Sequence, residues 1–226
     1  MDTIEAAGAL AVLNSDSAKE LSRRAGEIFT NLLGPLTEQL GLTLGDHAAY
    51  YRLKRLVALG EKAQKLLRGR TIAQNPNLGR ILPIIQIASM ESDEDVHNRW
   101  AALLANVVHD PKSVHPSYIE IMKQLTSDEA RWLDQAFDEA LEDEKTHDEK
   151  MHREMPGFAG EFHFRRRVRL QTLEKADEVM QGNLERLGLL NREKADTDDD
   201  GMLTSFEKFY VSDFGRAFVR ACRAEG

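Results

Sequence analysis

The sequence predicts a mostly α-helical protein, with an N-terminal multi-helix domain followed by a C-terminal winged-helix-like domain of helices and a short β-hairpin. Two observations carry this prediction. Apolar residues recur at helical spacing between Leu21 and Leu141, and the C-terminal region reads helix, short apolar segment, polar loop, strand and helix. We therefore expect a flexible lead-in over 1–20, an all-helical domain over 21–155 and a winged-helix-like domain over 156–226.

The composition is that of a protein with a buried core and an acidic surface. Of the 226 residues, 42% are hydrophobic, and 30 basic against 38 acidic residues give a net charge of −8. A protein that coats nucleic acid is usually basic, so this charge disfavours that class. The single cysteine, Cys222, excludes an internal disulfide framework. We expect a cytoplasmic location, because the sequence has neither a basic secretory start nor about 20 consecutive apolar residues.

The first strongly patterned helix is basic. Asp46 is a suitable N-cap for a helix that extends to about Leu67. Between Tyr50 and Arg70 the chain carries seven basic residues against one acid, Glu61, for a net charge of +6. Such a run is either a solvated helix face or a contact surface for an acidic partner, a phosphate or an anionic lipid. The basic residues are Arg52, Lys54, Arg55, Lys62, Lys65, Arg68 and Arg70.

Proline and capping patterns mark the helices that follow. Pro83 should stand in the first turn of a helix, because an interior proline removes a backbone hydrogen bond. Residues 92–95 form a capping-box-like start beginning at serine, and Pro116 opens another helix. Residues 126–129 form a second capping box, which begins an acidic helix.

The C-terminal segment has the element order of a winged helix. Residues 187–190 end a helix at Gly188 and continue as a strand, a second strand lies within 209–215, and a last helix spans 215–222. The loop 191–208 would be the wing. Both the wing and the helix that would enter the DNA groove are acidic, so DNA binding is disfavoured and protein binding is favoured.

The same loop contains a motif with explicit chemistry. Residues 196–207, DTDDDGMLTSFE, satisfy the pattern D-x-[DN]-x-[DN]-G-x5-E of a calcium-binding loop, whose oxygen ligands suit Ca2+. A lone loop without strong flanking helices favours the alternative, an acidic solvated wing. The predicted ligands are Asp196, Asp198, Asp200, the carbonyl of Met202, Thr204 through water, and Glu207.

The sequence contains none of the common catalytic patterns. A glycine-rich phosphate loop, a G-x-S-x-G turn and the histidine spacing of zinc proteases are all missing from the sequence. We therefore expect a protein that is not an enzyme and has no cofactor other than the suggested Ca2+.

Several segments resemble a known family. Residues 80–111 and 114–134 look like the Abi-alpha family of bacterial abortive infection proteins, as do residues 34–55 and 210–218. The resemblance covers about residues 25–222 and implies a phage-defence effector that acts by binding; it carries no catalytic residue, and the acidic loop is not part of it. The motif residues are Trp100, Asn106, His115, Pro116, Tyr118, Lys123, Gly215 and Arg216.

These observations give an order of expected partners. A protein partner, including a second copy of the chain, is expected first. The alternatives are Ca2+ binding through 196–207, peripheral membrane contact through the leucine-rich and basic region 28–67, and a DNA-binding regulator.

Overall fold

The structure is a computed structural model, and it describes residues 16–33, 47–75, 77–154, 178–194 and 207–223. These parts are mostly helical, with one two-stranded antiparallel sheet near the C-terminus. The prediction of a helical protein with a late β-hairpin is therefore confirmed. In chain order the elements are α1 (Asp16–Leu33), α2 (His47–Leu66), α3 (Leu78–Ala88), α4 (Glu94–His109), α5 (Ser117–Met122), α6 (Ser127–Glu154), α7 (Glu178–Arg186), β1 (Leu190–Lys194), β2 (Glu207–Val211) and α8 (Asp213–Cys222).

The described residues form two compact units. The first contains those up to Leu125 together with those from Arg220 onward, and the second contains those within Thr126–Val219. The sequence predicts a domain boundary after residue 155, from a Met-Pro-Gly turn signal and the change in composition that follows it. The lead-in 1–20 and the domains 21–155 and 156–226 stay predictions.

In the first unit, α2 packs against α1, α3 and α4, and α3 also packs against α4. The α1–α2 contact is close at Gly60, where an added Cβ would clash with Cγ2 of Ile28. A glycine at that position therefore lets the two backbones approach each other. Large side chains with almost no exposed surface fill the core of this unit: Leu53, Leu56, Leu59, Ile81, Ile84, Trp100, Leu103 and Leu104.

The structure corrects the sequence-based starts of two helices. Pro83 lies inside α3, which begins at Leu78, so the prediction that it marks a first turn is wrong. A proline at this position costs the helix one backbone hydrogen bond. We attribute the fact that α3 tolerates Pro83 to the tight packing of this helix, in which Ile81 and Ile84 are fully buried. The N-cap of α4 is Asp93, whose carboxylate accepts from the backbone N–H of Val96 at 3.0 Å, rather than the preceding serine. Pro116 is the N-cap of α5, as predicted.

The second unit begins with the predicted capping box. Backbone N of Thr126 donates to Oε2 of Glu129 at 2.8 Å, and backbone N of Glu129 donates to Oγ1 of Thr126 at 3.2 Å. Glu129 is buried, and its other oxygen accepts from Nδ2 of Asn183 at 2.7 Å. This carboxylate therefore caps α6 and holds α7 beside its first turn.

The hairpin follows α7 directly, through a glycine in the left-handed region, Gly188 at φ 72°. After β2, Ser212 caps α8, since its Oγ accepts from backbone N of Gly215 at 2.8 Å and donates to the carbonyl of Gly188 at 2.5 Å. The predicted helix end and returning strand are confirmed. The strands pair antiparallel from Leu190↔Val211 to Lys194↔Glu207.

Candidate functional site

A charged cluster joins α2 to the start of α4 in the first unit. Nη1 of Arg55 donates to Oε2 of Glu94 at 2.9 Å, and Nζ of Lys62 bonds to Oε1 of the same carboxylate. Nζ of Lys62 also lies 3.0 Å from Nδ1 of His97, whose Nε2 lies 3.2 Å from the carbonyl oxygen of Arg55. One carboxylate therefore holds two cations of α2 beside a buried imidazole.

The surroundings of His97 determine its charge and its tautomer. The ring is fully buried, and this burial, followed by the charges of Lys62 and Arg55, lowers the pKa of His97 to about 4. The ring is therefore neutral at physiological pH. Because the Lys62 ammonium can only donate, Nδ1 accepts, and Nε2 carries the proton that it donates to the Arg55 carbonyl.

Glu94 carries the only negative charge among these four side chains. The hydrogen bond that Glu94 accepts from Lys62 is the largest cause, and the one from Arg55 the next, of a pKa of Glu94 lowered to about 2. The two cations, the one carboxylate and the neutral imidazole therefore leave the cluster with a net charge of +1.

The other cations on and beside α2 divide into paired and unpaired groups. Arg24 of α1 bonds to Glu61 of α2, and Nη2 of Arg70, which follows α2, donates to Oδ1 of Asn106 at 3.0 Å. Lys54 and Lys65 are exposed and lie on one face of α2, three helical turns apart, and exposed Arg68 follows in the next turn. Within the described ranges these three side chains have no ion-pair or hydrogen-bond partner. We call Lys54, Lys65 and Arg68 the basic strip.

Two of the motif residues on α4 have structural contacts. Trp100 is completely buried in the core of the first unit. Nδ2 of Asn106 donates to the carbonyl of Ala221 at 2.8 Å, while its Oδ1 accepts from Arg70. Asn106 therefore ties α4 to the end of α8 and to the turn after α2.

Of the motif residues around α5 in the same unit, His115, Pro116 and Lys123 are exposed and Tyr118 is buried. Nδ1 of exposed His115 is 2.5 Å from Oγ of Ser117, and its ring tilts 52° against that of Tyr118, with 5.9 Å between centroids. Tyr118 is buried, and burial raises the pKa of its hydroxyl. Lys123 is exposed and pairs with Glu120 at 2.8 Å.

The last two motif residues belong to the second unit. Gly215 in α8 lies against the backbone of Leu189, and an added Cβ would stand 3.1 Å from Cα of Leu189 and closer still to its carbonyl oxygen. Arg216 forms a bidentate ion pair with Glu144 of α6, with Nη2–Oε1 at 2.7 Å and Nη1–Oε2 at 3.1 Å. Both residues join α8 to its neighbours within the unit.

The suggested Ca2+ loop falls almost entirely outside the described residues. Glu207 is described, as the first residue of β2, where it pairs in register with Lys194. Among the residues that the structure describes, no group of three or more His, Cys, Asp or Glu side chains is placed to hold a metal ion. The Ca2+ site stays a prediction. Its other ligands, Asp196, Asp198, Asp200, Met202 and Thr204, lie in the range 195–206 that is not described.

The helices of the described ranges give one result about membranes. None of them is both long enough and apolar enough to cross a bilayer.

Sequence reasoning missed the charged cluster. It treated the acids of residues 92–95 as partners of a helix dipole and the basic run of α2 as one continuous surface. A signal was present, since an acidic helix start and a strongly basic helix in one domain are complementary in charge. Which cations meet which acid depends on how α2 packs against α4, and spacing along the chain does not give that packing.

The described parts of the chain define a helical protein with a C-terminal β-hairpin, in which Asn106, Gly215 and Arg216 connect helices to their neighbours. The chain belongs to the abortive infection alpha family, whose model matches residues 52–222. Every motif residue from Trp100 to Arg216 lies within the match. No curated protein and no solved structure matches the chain. The family connects the protein with abortive infection.

Proposed function

We propose that this protein is a non-enzymatic abortive-infection effector that acts by binding another protein. Membership of the abortive infection alpha family supports the biological role. The basic strip supports the mode of action and gives the partner's chemistry, an acidic protein surface.

The observation that carries the proposal is the contrast between two groups of cations on α2. Arg55 and Lys62 are both ion-paired with Glu94, whereas the basic strip is exposed and has no ion-pair partner among the described residues. Exposed cations that are left without an ion-pair partner speed association with a surface of opposite charge and select against the wrong partners.

A winged-helix module forms the second part of the proposal. The succession of α7, a left-handed glycine, β1, β2 and α8 is the order that such a module uses. Over its nine residues α7 has two acids and one base, Glu178, Glu185 and Arg186. This charge favours a protein partner over the DNA phosphates, so we assign the module to protein binding as well.

Crosslinking in infected cells tests the proposal. A photo-crosslinking amino acid replaces Lys65 in the basic strip, and a matched variant carries it at Lys112, an exposed lysine of the same unit. We expect position 65, and not position 112, to yield a discrete product with an acidic protein. The product should weaken when Lys54 and Arg68 are both changed to glutamate.

Three results would contradict the proposal. Identical products from both positions would mean that the strip has no particular partner. Crosslinks to lipid or to DNA would favour the membrane or the DNA-binding alternative. Phage restriction that requires Ca2+ and is lost on Asp200→Ala would transfer the function to the acidic loop.

A further inference from the structure

We propose that the outer face of α2 is a docking surface for an acidic, amphipathic α-helix of a partner protein. This inference rests on the proposed function, because it specifies the partner of the basic strip, and it adds the shape and the residue pattern that the partner must have. The outer face consists of Tyr51, Lys54, Ala58, Glu61 and Lys65, and Arg68 continues it in the turn after α2.

The residues of the outer face follow one another along α2 at steps of three, four, three and four. This alternation places one side chain per turn on one side of a helix, and it is the spacing with which two helices pack side by side. The opposite side of α2 lies in the core, where Leu53, Leu56 and Leu59 have almost no exposed surface. The outer face is exposed at every position except the half-buried Ala58, so the described part of the first unit leaves it uncovered.

Two neighbouring helices border the outer face. Glu61 bonds to Arg24 of α1, and Lys62 bonds to Glu94 of α4. Because consecutive residues of a helix lie about 100° apart, these two contacts leave α2 on opposite sides of the face. Ala58 lies midway along the face, where its small side chain allows another helix to approach closely. An incoming helix would therefore lie along α2, between its contacts with α1 and α4.

One end of the outer face is apolar. The Tyr51 side chain is 43% exposed, and its hydroxyl donates to the carbonyl of Glu91 at 3.3 Å. Met90, the residue before Glu91, is 54% exposed at the same end. Tyrosine and methionine are enriched where protein surfaces bind one another, so this end suits an apolar residue of the partner.

The rest of the outer face is basic. Lys54 and Lys65 lie about 16 Å apart along the axis of α2, and Arg68 follows in the next turn. The charge of Glu61 is offset by its ion pair with Arg24, so the face attracts acids. A partner helix therefore needs acidic residues on one side, at the same spacing, to face these three cations.

The regular backbone of α2 favours a helix over an extended strand as the occupant. Its N–H and C=O groups are bonded within the helix, so a partner strand would gain no backbone hydrogen bonds from it. A lipid surface is disfavoured as well. Interfacial binding needs a large apolar face, and the outer face has one aromatic side chain among its charges.

The test is the binding of a synthetic helical peptide to the full chain, measured by fluorescence anisotropy at fixed ionic strength. The probe is an alanine- and glutamine-based peptide of about 20 residues, enough to span the face, with one leucine and three glutamates at alternating steps of three and four. The control peptide has the same composition and net charge, but its glutamates are distributed around the helix. We expect the probe to bind about tenfold more tightly than the control peptide.

A substitution at Ala58 separates helix docking from simple charge attraction. Ala58→Arg adds a cation but places a long side chain in the middle of the face, and it should weaken binding of the probe about tenfold. Gln86→Arg adds the same charge at an exposed position of α3 and should leave the affinity unchanged. Circular dichroism checks that both variants fold. Equal binding of the two peptides by wild type, or tighter binding of the probe by Ala58→Arg, would overturn the proposal.

Crosslinking distinguishes a failure of this inference from a failure of the proposed function. The photo-crosslinking amino acid is placed at Lys54 in one variant and at Lys65 in another. A partner helix that lies along α2 should be crosslinked at two of its residues about eleven positions apart, whereas an extended strand would give about five. A spacing of about five would overturn the helix and leave the proposed function standing. The absence of a protein product at both positions would contradict both.

Discussion

Replacing His97 by glutamine should flatten the acid dependence of the stability of the first unit. His97 is buried and neutral, with its pKa lowered from 6.5 to about 4. Because this folded pKa is depressed, the unfolded chain binds the proton more tightly. The stability contributed by His97 is therefore complete above pH 6.5 and is lost as the pH falls towards 4.

The magnitude follows from proton uptake at one site. With pKa values of 6.5 unfolded and about 4 folded, lowering the pH from 8 to 5 costs the folded state about 2 kcal/mol. Most carboxylates stay ionised over that range, so their contribution is small. Glutamine retains an acceptor for Lys62 and a donor for the Arg55 carbonyl, but it does not titrate.

The assay is urea unfolding at several pH values, followed by tryptophan fluorescence. The chain has two tryptophans, Trp100 in the first unit and Trp132 in the second. A Trp132→Phe background therefore lets Trp100 report on its own unit. We expect the free energy of unfolding to fall between pH 8 and 5 by about 2 kcal/mol more with His97 present than in His97→Gln. If the free energy of unfolding depended on pH in the same way in both proteins, the conclusion that His97 is buried and neutral would be refuted.

Two further substitutions test contacts at motif residues. Gly215→Ala places a Cβ against the immobile backbone of Leu189 and should destabilise the second unit by about 1–3 kcal/mol, measured by urea unfolding. Gly182→Ala, whose Cβ would meet nothing within 4 Å, should instead stabilise by about 0.5–1 kcal/mol, and equal effects would contradict this packing. Asn106→Ala leaves the Ala221 carbonyl without its donor and should lower the free energy of unfolding by about 1–3 kcal/mol, measured as a lower melting temperature. An unchanged melting temperature would contradict a structural role for Asn106.

Local signals in the sequence located elements well. The Thr126–Glu129 capping box and the helix end at Gly188 were predictable because each depends on a few neighbouring residues. Pro83 was misjudged for the opposite reason. Its tolerance inside α3 depends on packing against distant residues, which outweighs the local cost of the missing hydrogen bond.

The candidate site was predictable in part. The basic run of α2 was visible in the sequence as charge, but its division between the Glu94 cluster and the basic strip required the contact with α4. The motif residue Asn106 was found by resemblance. Its role as a tie between Arg70 and Ala221 joins residues far apart in the chain, and no spacing rule reveals such a contact.

The most direct measurement of the central claim is the phage yield per infected cell in strains that carry wild type, Lys65→Glu with Arg68→Glu, or the exposed control pair Lys112→Glu with Lys145→Glu. All three proteins must be folded and present at equal levels. The account predicts that wild type and the control pair reduce the yield relative to an empty vector, and that the Lys65 and Arg68 variant restores it. Equal restriction by all three proteins would contradict an effector that acts through the basic strip.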